Sequence, residues 1–76
     1  MDDITVATLR KNARESIRVL LREFKGRRFL DIRLFASNGV EEVATKSGIA
    51  IRPELIQPVR EALEEAERLA KEKGML

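Results

Sequence analysis

From Arg28 to Phe35 apolar and polar positions alternate. Leu30, Ile32 and Leu34 fall on one side of an extended chain, and Phe29, Asp31, Arg33 and Phe35 on the other. This predicts a strand with an aliphatic face suited to a core and a second face that mixes aromatic rings with guanidinium groups. Upstream, Leu9–Phe24 fits two periods. Leu9, Ala13, Ile17, Leu20, Leu21 and Phe24 fit one side of a helix, with Arg10, Arg14, Arg18 and Arg22 four apart on another, yet Ile17–Arg22 also alternates as a strand. A helical column of four arginines repels itself, but period alone leaves the two readings level. Gly26 would turn such a strand into the next. Met1–Thr8 has no clear period and is expected to be a loose terminus.

Downstream, Ser37-Asn38-Gly39-Val40 predicts a hairpin, because Asn-Gly takes the positive φ angles of a type I′ turn. Val40–Thr45 then reads as a short, half-polar return strand, and Lys46-Ser47-Gly48 as a further turn into Ile49–Ile51. Pro53 suits the first position of a helical turn. Pro58 should bend the chain or start the main helix anew. From there Val59, Ala62, Leu63, Ala66, Leu69 and Ala70 follow a helical period that Gly74 ends. This narrow Ala/Leu stripe can pair with another helix or cover the chain's own sheet. Glu64 with Arg68 and Glu67 with Lys71 are the expected ion pairs of its wet side. The order is α+β, strands first and one helix last.

Seventy-six residues make one domain, which buries only about 60% of its unfolded surface and needs further stabilisation. With no Cys and no His, no disulfide can form and a structural zinc is not expected, because the carboxylates that remain suit harder cations, which leaves oligomerisation; no cofactor and no metal are expected. Tyr is absent too, and the adjacent pairs Glu41-Glu42 and Glu64-Glu65 point apart, so no catalytic constellation can be named and no enzyme is expected. There is no signal peptide or membrane-spanning apolar run, so a cytoplasmic protein without membrane partners is expected. Net charge is only +2, but Arg10–Arg33 carries nine basic residues against three acidic, and from Pro53 onward six Glu face four basic residues. A basic first half fits a polyanionic partner. All three aromatics, Phe24, Phe29 and Phe35, lie within that half with Lys25, Arg27, Arg28 and Arg33 among them. An accessible ring beside guanidinium groups can stack an unpaired base while its phosphate is neutralised. The competing reading makes Phe29 and Phe35 core residues, with Arg33 paired to Asp31 or to a neighbouring strand.

Ile17-Arg18-Val19, Arg22-Glu23-Phe24-Lys25-Gly26-Arg27, Leu30-Asp31-Ile32-Arg33, Lys46-Ser47-Gly48-Ile49 and Arg52-Pro53-Glu54 together resemble the single-stranded-DNA-binding domain of the Positive Cofactor Four family of transcriptional coactivators, including its small bacterial members. The resemblance runs from about Asn12 to Leu69. It implies a curved four-stranded antiparallel sheet followed by a bent C-terminal helix, in a homodimer whose helices pair through Val59, Ala62, Leu63, Ala66, Leu69 and Ala70. Residues 1–11 would then be a loose segment and 12–73 the domain, with strands at about 16–23, 28–36, 40–45 and 48–51 and a helix over about 53–73 bent near Pro58. Arg22, Phe24, Lys25, Arg27, Arg33 and Lys46 fall on positions that resemble nucleic-acid contacts. Phe24, with Phe35 or Phe29, would stack bases, while Arg18, Arg28 and Arg14 extend the positive field. Two departures bear on affinity. Ala36 stands where eukaryotic members carry Trp, and Ser47 where they carry Lys. The implied function is sequence-independent binding of single-stranded DNA in transcription regulation, and in replication or repair. The alternatives are a dimeric adaptor for a transcription-machinery protein and an RNA chaperone on the same fold.

Overall fold

Strands β1 (Ile4–Arg10), β2 (Glu15–Phe24), β3 (Arg27–Ser37) and β4 (Glu42–Ile51) form one antiparallel sheet in chain order. A 3-10 turn, Pro53–Leu55, leads into α1 (Ile56–Glu72). This computed structural model describes residues 2–76; Met1, the first residue of the segment expected to be loose, lies outside them. The fold class follows the expectation, but the strand bounds do not. The segment expected to be loose supplies β1, which pairs with β2 from Ile4↔Leu21 to Arg10↔Ser16. Its period is hidden by a register shift between Thr5 and Ala7, where Val6 is an extra residue. The two short strands expected at 40–45 and 48–51 are one strand, β4. Lys46-Ser47 is not a turn but lies at a bulge, where Phe35 pairs with Ala44 while Arg33 already pairs with Gly48.

The turns also exchange roles. The two-residue turn with positive φ at both positions is Lys25-Gly26 (φ 51° and 79°), closed by the pair Phe24↔Arg27. At Asn38-Gly39 only the glycine has positive φ. There the Asn38 side-chain oxygen accepts the N–H groups of Val40 and Glu41, both at 2.9 Å, and the loop is four residues long. Leu9–Phe24 resolves as β1, a loop and β2. In the sheet, carboxylates from β4 and β3 reach the guanidinium groups of Arg18 and Arg22, so the arginine column is compensated across strands.

Pro58 does not break the helix: it occupies the first turn of α1, where an N–H has no intrahelical partner. The change of helical type falls earlier, between Leu55 and Ile56. At the other end Gly74 takes φ 76°, its N–H donates to Lys71 O at 3.2 Å and that of Met75 to Ala70 O at 2.8 Å, the paired bonds of a Schellman cap. Arg68 pairs with Glu65 and Glu72 rather than with Glu64.

Directly paired residues share a face of a sheet, so the register separates two surfaces. One carries Ile4, Ala7, Leu9, Ile17, Val19, Leu21, Leu30, Ile32, Leu34, Val43, Ile49 and Ile51. This is the aliphatic face, as the alternation of β3 predicts, yet Ile51 is the one buried apolar residue among those described. α1 does not cover it: the helix makes its main contact with the 3-10 turn, and none of its residues is buried. The Cα radius of gyration, 14.4 Å, exceeds the value of about 11 Å for a compact chain of this length, as a projecting helix requires.

Candidate nucleic-acid interface

The second face is built from Ser16, Arg18, Leu20, Arg22 and Phe24 of β2 against Phe35, Arg33, Asp31, Phe29 and Arg27 of β3. Its centre is Asp31, 1% exposed and flanked by two arginines. Arg33 Nε donates to both carboxylate oxygens at 3.2 and 3.1 Å, and Arg22 Nη1 donates to Oδ2 at 3.0 Å. Arg33 Nη1 also donates to Thr45 O at 3.0 Å, and Arg22 Nε to Asp3 Oδ2 at 3.3 Å. Burial pushes the Asp31 carboxyl upward, but the hydrogen bonds from Arg33 and Arg22 outweigh it and hold the group below the usual Asp value. The Asp31 hydrogen bond in turn raises Arg22.

Arg33 reaches Thr45 because Gly48 lies opposite it. A Cβ at Gly48 would stand 2.6 Å from Ile32 O and 2.7 Å from Arg33 Cζ. Gly48→Ala is therefore expected to push β4 off β3 and displace Arg33, at about 1–3 kcal/mol of stability. Urea unfolding would measure it, and an unchanged midpoint would show that the strand yields without strain.

A second cluster centres on Glu42, the first residue of β4. Its carboxylate accepts the hydroxyl of fully buried Ser16 at 3.0 Å and pairs with Arg18 and Arg10, each at 3.3 Å. The Ser16 hydrogen bond is the main cause that lowers the Glu42 pKa; burial opposes it, and the charges of Arg10 and Arg18 add to it. Arg10 belongs to the first strand and Glu42 to the last, about 14 Å apart in a flat sheet at the usual spacing. Their contact requires a sheet curled toward this face. Arg18 also lies over the Phe35 ring, 4.1 Å from its centroid.

The sequence-predicted residues thus divide into two groups. Arg22, Arg33 and Arg18 are held by carboxylates, and the Phe35 ring carries a guanidinium on its face. Phe29, half-buried, is the cross-strand partner of Arg22. Free to meet a ligand are Phe24, 65% exposed, and the exposed Lys25, Arg27 and Lys46. Lys25 Nζ stands 5.3 Å from the Phe24 centroid. Arg28 points to the aliphatic face and pairs with Glu23 at 3.3 Å; Arg14 lies in the β1–β2 loop. Sequence reading missed Arg10, Ser16 and Glu42. Ser16 was within reach, since it keeps the parity of Arg18 and Arg22, but nothing local signals the contact of Glu42 with β1 and β2.

Among the described residues no three His, Cys, Asp or Glu side chains gather as a metal site, and no helix is long and apolar enough to cross a membrane. A family model described as Transcriptional Coactivator p15 (PC4) matches residues 11–62. The crystal structure of a PC4 homolog from Burkholderia pseudomallei K96243, in its orthorhombic form, superposes with a TM-score of 0.80 at 40% identity, covering 84% of this chain and 88% of that one. Its tetragonal form gives 0.79 at 38% identity, covering 86% and 97%. No match was found among curated proteins.

Proposed function

The chain belongs to the Transcriptional Coactivator p15 (PC4) family, a nucleic-acid-binding family, and from that membership we propose that it is a homodimeric, largely sequence-independent single-stranded-DNA-binding protein of transcription regulation. The observation that carries this reading is the tip of the β2–β3 hairpin. Phe24 stands out from the sheet with its ring uncovered by any other strand, Lys25 beside it and Arg27 directly across. A large, mostly exposed apolar ring beside two cations that have no carboxylate partner among the described residues is unfavourable for the free chain and suits an unpaired base with its phosphate. The carboxylate-held arginines behind it supply a fixed positive field over the curled face. They keep their orientation before the strand arrives, which limits the ordering cost of binding.

Homodimerisation explains the two uncovered apolar surfaces. Leu63 and Leu69 of α1 are 60% and 41% exposed, Ala62 and Ala66 are exposed, and Val59 and Ala70 are half-buried. Together with the open aliphatic face, this is more contiguous apolar surface than a small monomer ordinarily leaves in water.

Fluorescence anisotropy with a labelled single strand of about 20 nucleotides and its duplex, over a salt series, tests the binding reading. The single strand is expected to bind more tightly and to keep part of its advantage at high salt. Phe24→Ala should weaken single-strand binding by about 1–3 kcal/mol, roughly equally at every salt concentration. A duplex that binds as well as the single strand, with all affinity lost in salt, would leave only generic polyanion attraction.

A further inference from the structure

Beside the Phe24 hairpin, a cavity of about 500 Å³ opens between the end of the sheet and the start of the helix. Arg27 and Arg28 border it on one side and Arg52 on the other, with Phe29, Ala50 and Pro53 lining it between them. Three features separate it from a chance hollow among surface side chains. First, it adjoins the candidate interface: Phe29 pairs with Arg22 and Ala50 with Asp31, so both lie on the face that carries Phe24 and Arg27. Second, its lining joins an aromatic ring, a methyl group and a proline ring to guanidinium groups, and its volume is that of a small-ligand site. Third, its charge is unbalanced. Arg52 pairs with Glu54, which also lines the cavity, at 3.6 Å, and Arg28 pairs with Glu23, but Arg27 has no ion-pair partner among the described residues. The Arg52–Glu54 pair joins two exposed groups and exchanges readily for a stronger anion.

We propose that this cavity holds one nucleotide of the bound strand, with its base against Phe29 and Pro53 and its phosphate between Arg27 and Arg52. The arginine fork matches a phosphate's paired oxygens, and the apolar lining matches a base with no partner strand. The strand then runs past the Phe24 hairpin to the N-terminal end of the helix, and Arg52, which the sequence reading left outside the site, becomes a binding residue. Pro53 fixes the backbone just beyond Arg52, which is itself extended (φ −64°, ψ 146°), so the cavity wall is set before binding.

This inference rests on the single-strand reading, and its test separates the two. Wild type, Arg52→Ala and Phe24→Ala are compared by anisotropy on a series of single strands of increasing length, each over a salt range. Arg52 is exposed and lies outside every strand and helix, so its removal leaves the sheet pairing intact. Loss of one phosphate contact reduces the log–log salt slope by about 0.7, and the Arg52→Ala affinity should stop rising with length about one nucleotide sooner than that of wild type. Photo-crosslinking of a 5-iodouracil strand should label the peptide that contains Phe29. If Phe24→Ala weakens binding while Arg52→Ala keeps the wild-type slope and length dependence, and Phe29 is not labelled, the cavity lies off the path and the single-strand reading stands. If wild type ignores single strands of every length, both fall.

Discussion

Asp31→Ala is expected to remove about 3 kcal/mol of stability, a large share of the roughly 4–11 kcal/mol that a chain of this length has to lose. The carboxylate is buried and accepts from Arg22 and Arg33 at once. Without it, two guanidinium groups face each other across neighbouring strands with no anion between them. The estimate sits at the low end for a broken buried pair because both arginines keep some contact with water, 39% and 20% exposed, which screens the charge left behind. The pH dependence follows from the direction of the Asp31 shift. Its pKa is lower in the folded state than in the unfolded chain, so its contribution is fully present above the ordinary Asp value, about 3.9. It is lost as pH falls through the lowered folded value. Asp31→Asn keeps an acceptor for one arginine but cannot titrate. It should be less damaging than Asp31→Ala at neutral pH and should flatten the acid limb of the stability profile. Urea unfolding from about pH 7 to pH 2 measures both. An acid limb unchanged in Asp31→Asn would assign acid sensitivity to the other carboxylates held below the usual range, Glu15, Glu23, Glu42 and Glu65.

The fold and the site were legible in the sequence to different depths, and the reasons are local. The alternation of β3 assigned the two faces correctly because that strand is paired on both sides and its own side chains never lose period. β1 was missed because Val6 is an extra residue at a bulge. The aliphatic positions Ile4, Ala7 and Leu9 are then spaced three and two apart, a pattern that no strand template counts. β4 was divided in two for the same reason, since Lys46-Ser47-Gly48 has turn composition but sits at a bulge, and its glycine is there to clear Arg33. The hairpin turn was assigned to Asn38-Gly39 on propensity. Asn38 instead spends its side chain on the following N–H groups, while Lys25 accepts positive φ under the constraint of ten paired residues on each side. For the site, residue type identified the basic and aromatic positions. It could not distinguish Arg27, which is free, from Arg33, which Asp31 holds, or show that Arg18 covers Phe35. Those facts belong to register and to side-chain reach across strands.

Leu63→Glu combined with Leu69→Glu is expected to abolish dimerisation and to unfold most of the protein at micromolar concentration. In the isolated chain, one apolar residue among those described is buried and the helix makes its main contact with the 3-10 turn. In the proposed homodimer a second copy covers α1 and the aliphatic face, so stability from apolar burial comes largely from association, which couples it to folding. Burying a leucine contributes about 1.5–3 kcal/mol, and a two-fold interface counts each one once per protomer. Because Leu63 and Leu69 are 60% and 41% exposed in the single chain, covering both in both protomers contributes about 3–6 kcal/mol to the assembled state before the cost of placing carboxylates in the seam. The wet side of α1, with Arg68 held between Glu65 and Glu72, is untouched by these changes, so helix propensity is little affected. Sedimentation equilibrium should give twice the 8.7 kDa chain mass for wild type, with a melting temperature that rises with concentration. The double variant should sediment at the chain mass and lose most of its sheet signal in circular dichroism. A wild-type chain that sediments at 8.7 kDa while fully folded, with a melting temperature independent of concentration, would mean that the monomer is stable with both apolar surfaces uncovered, and the dimer would have to be abandoned.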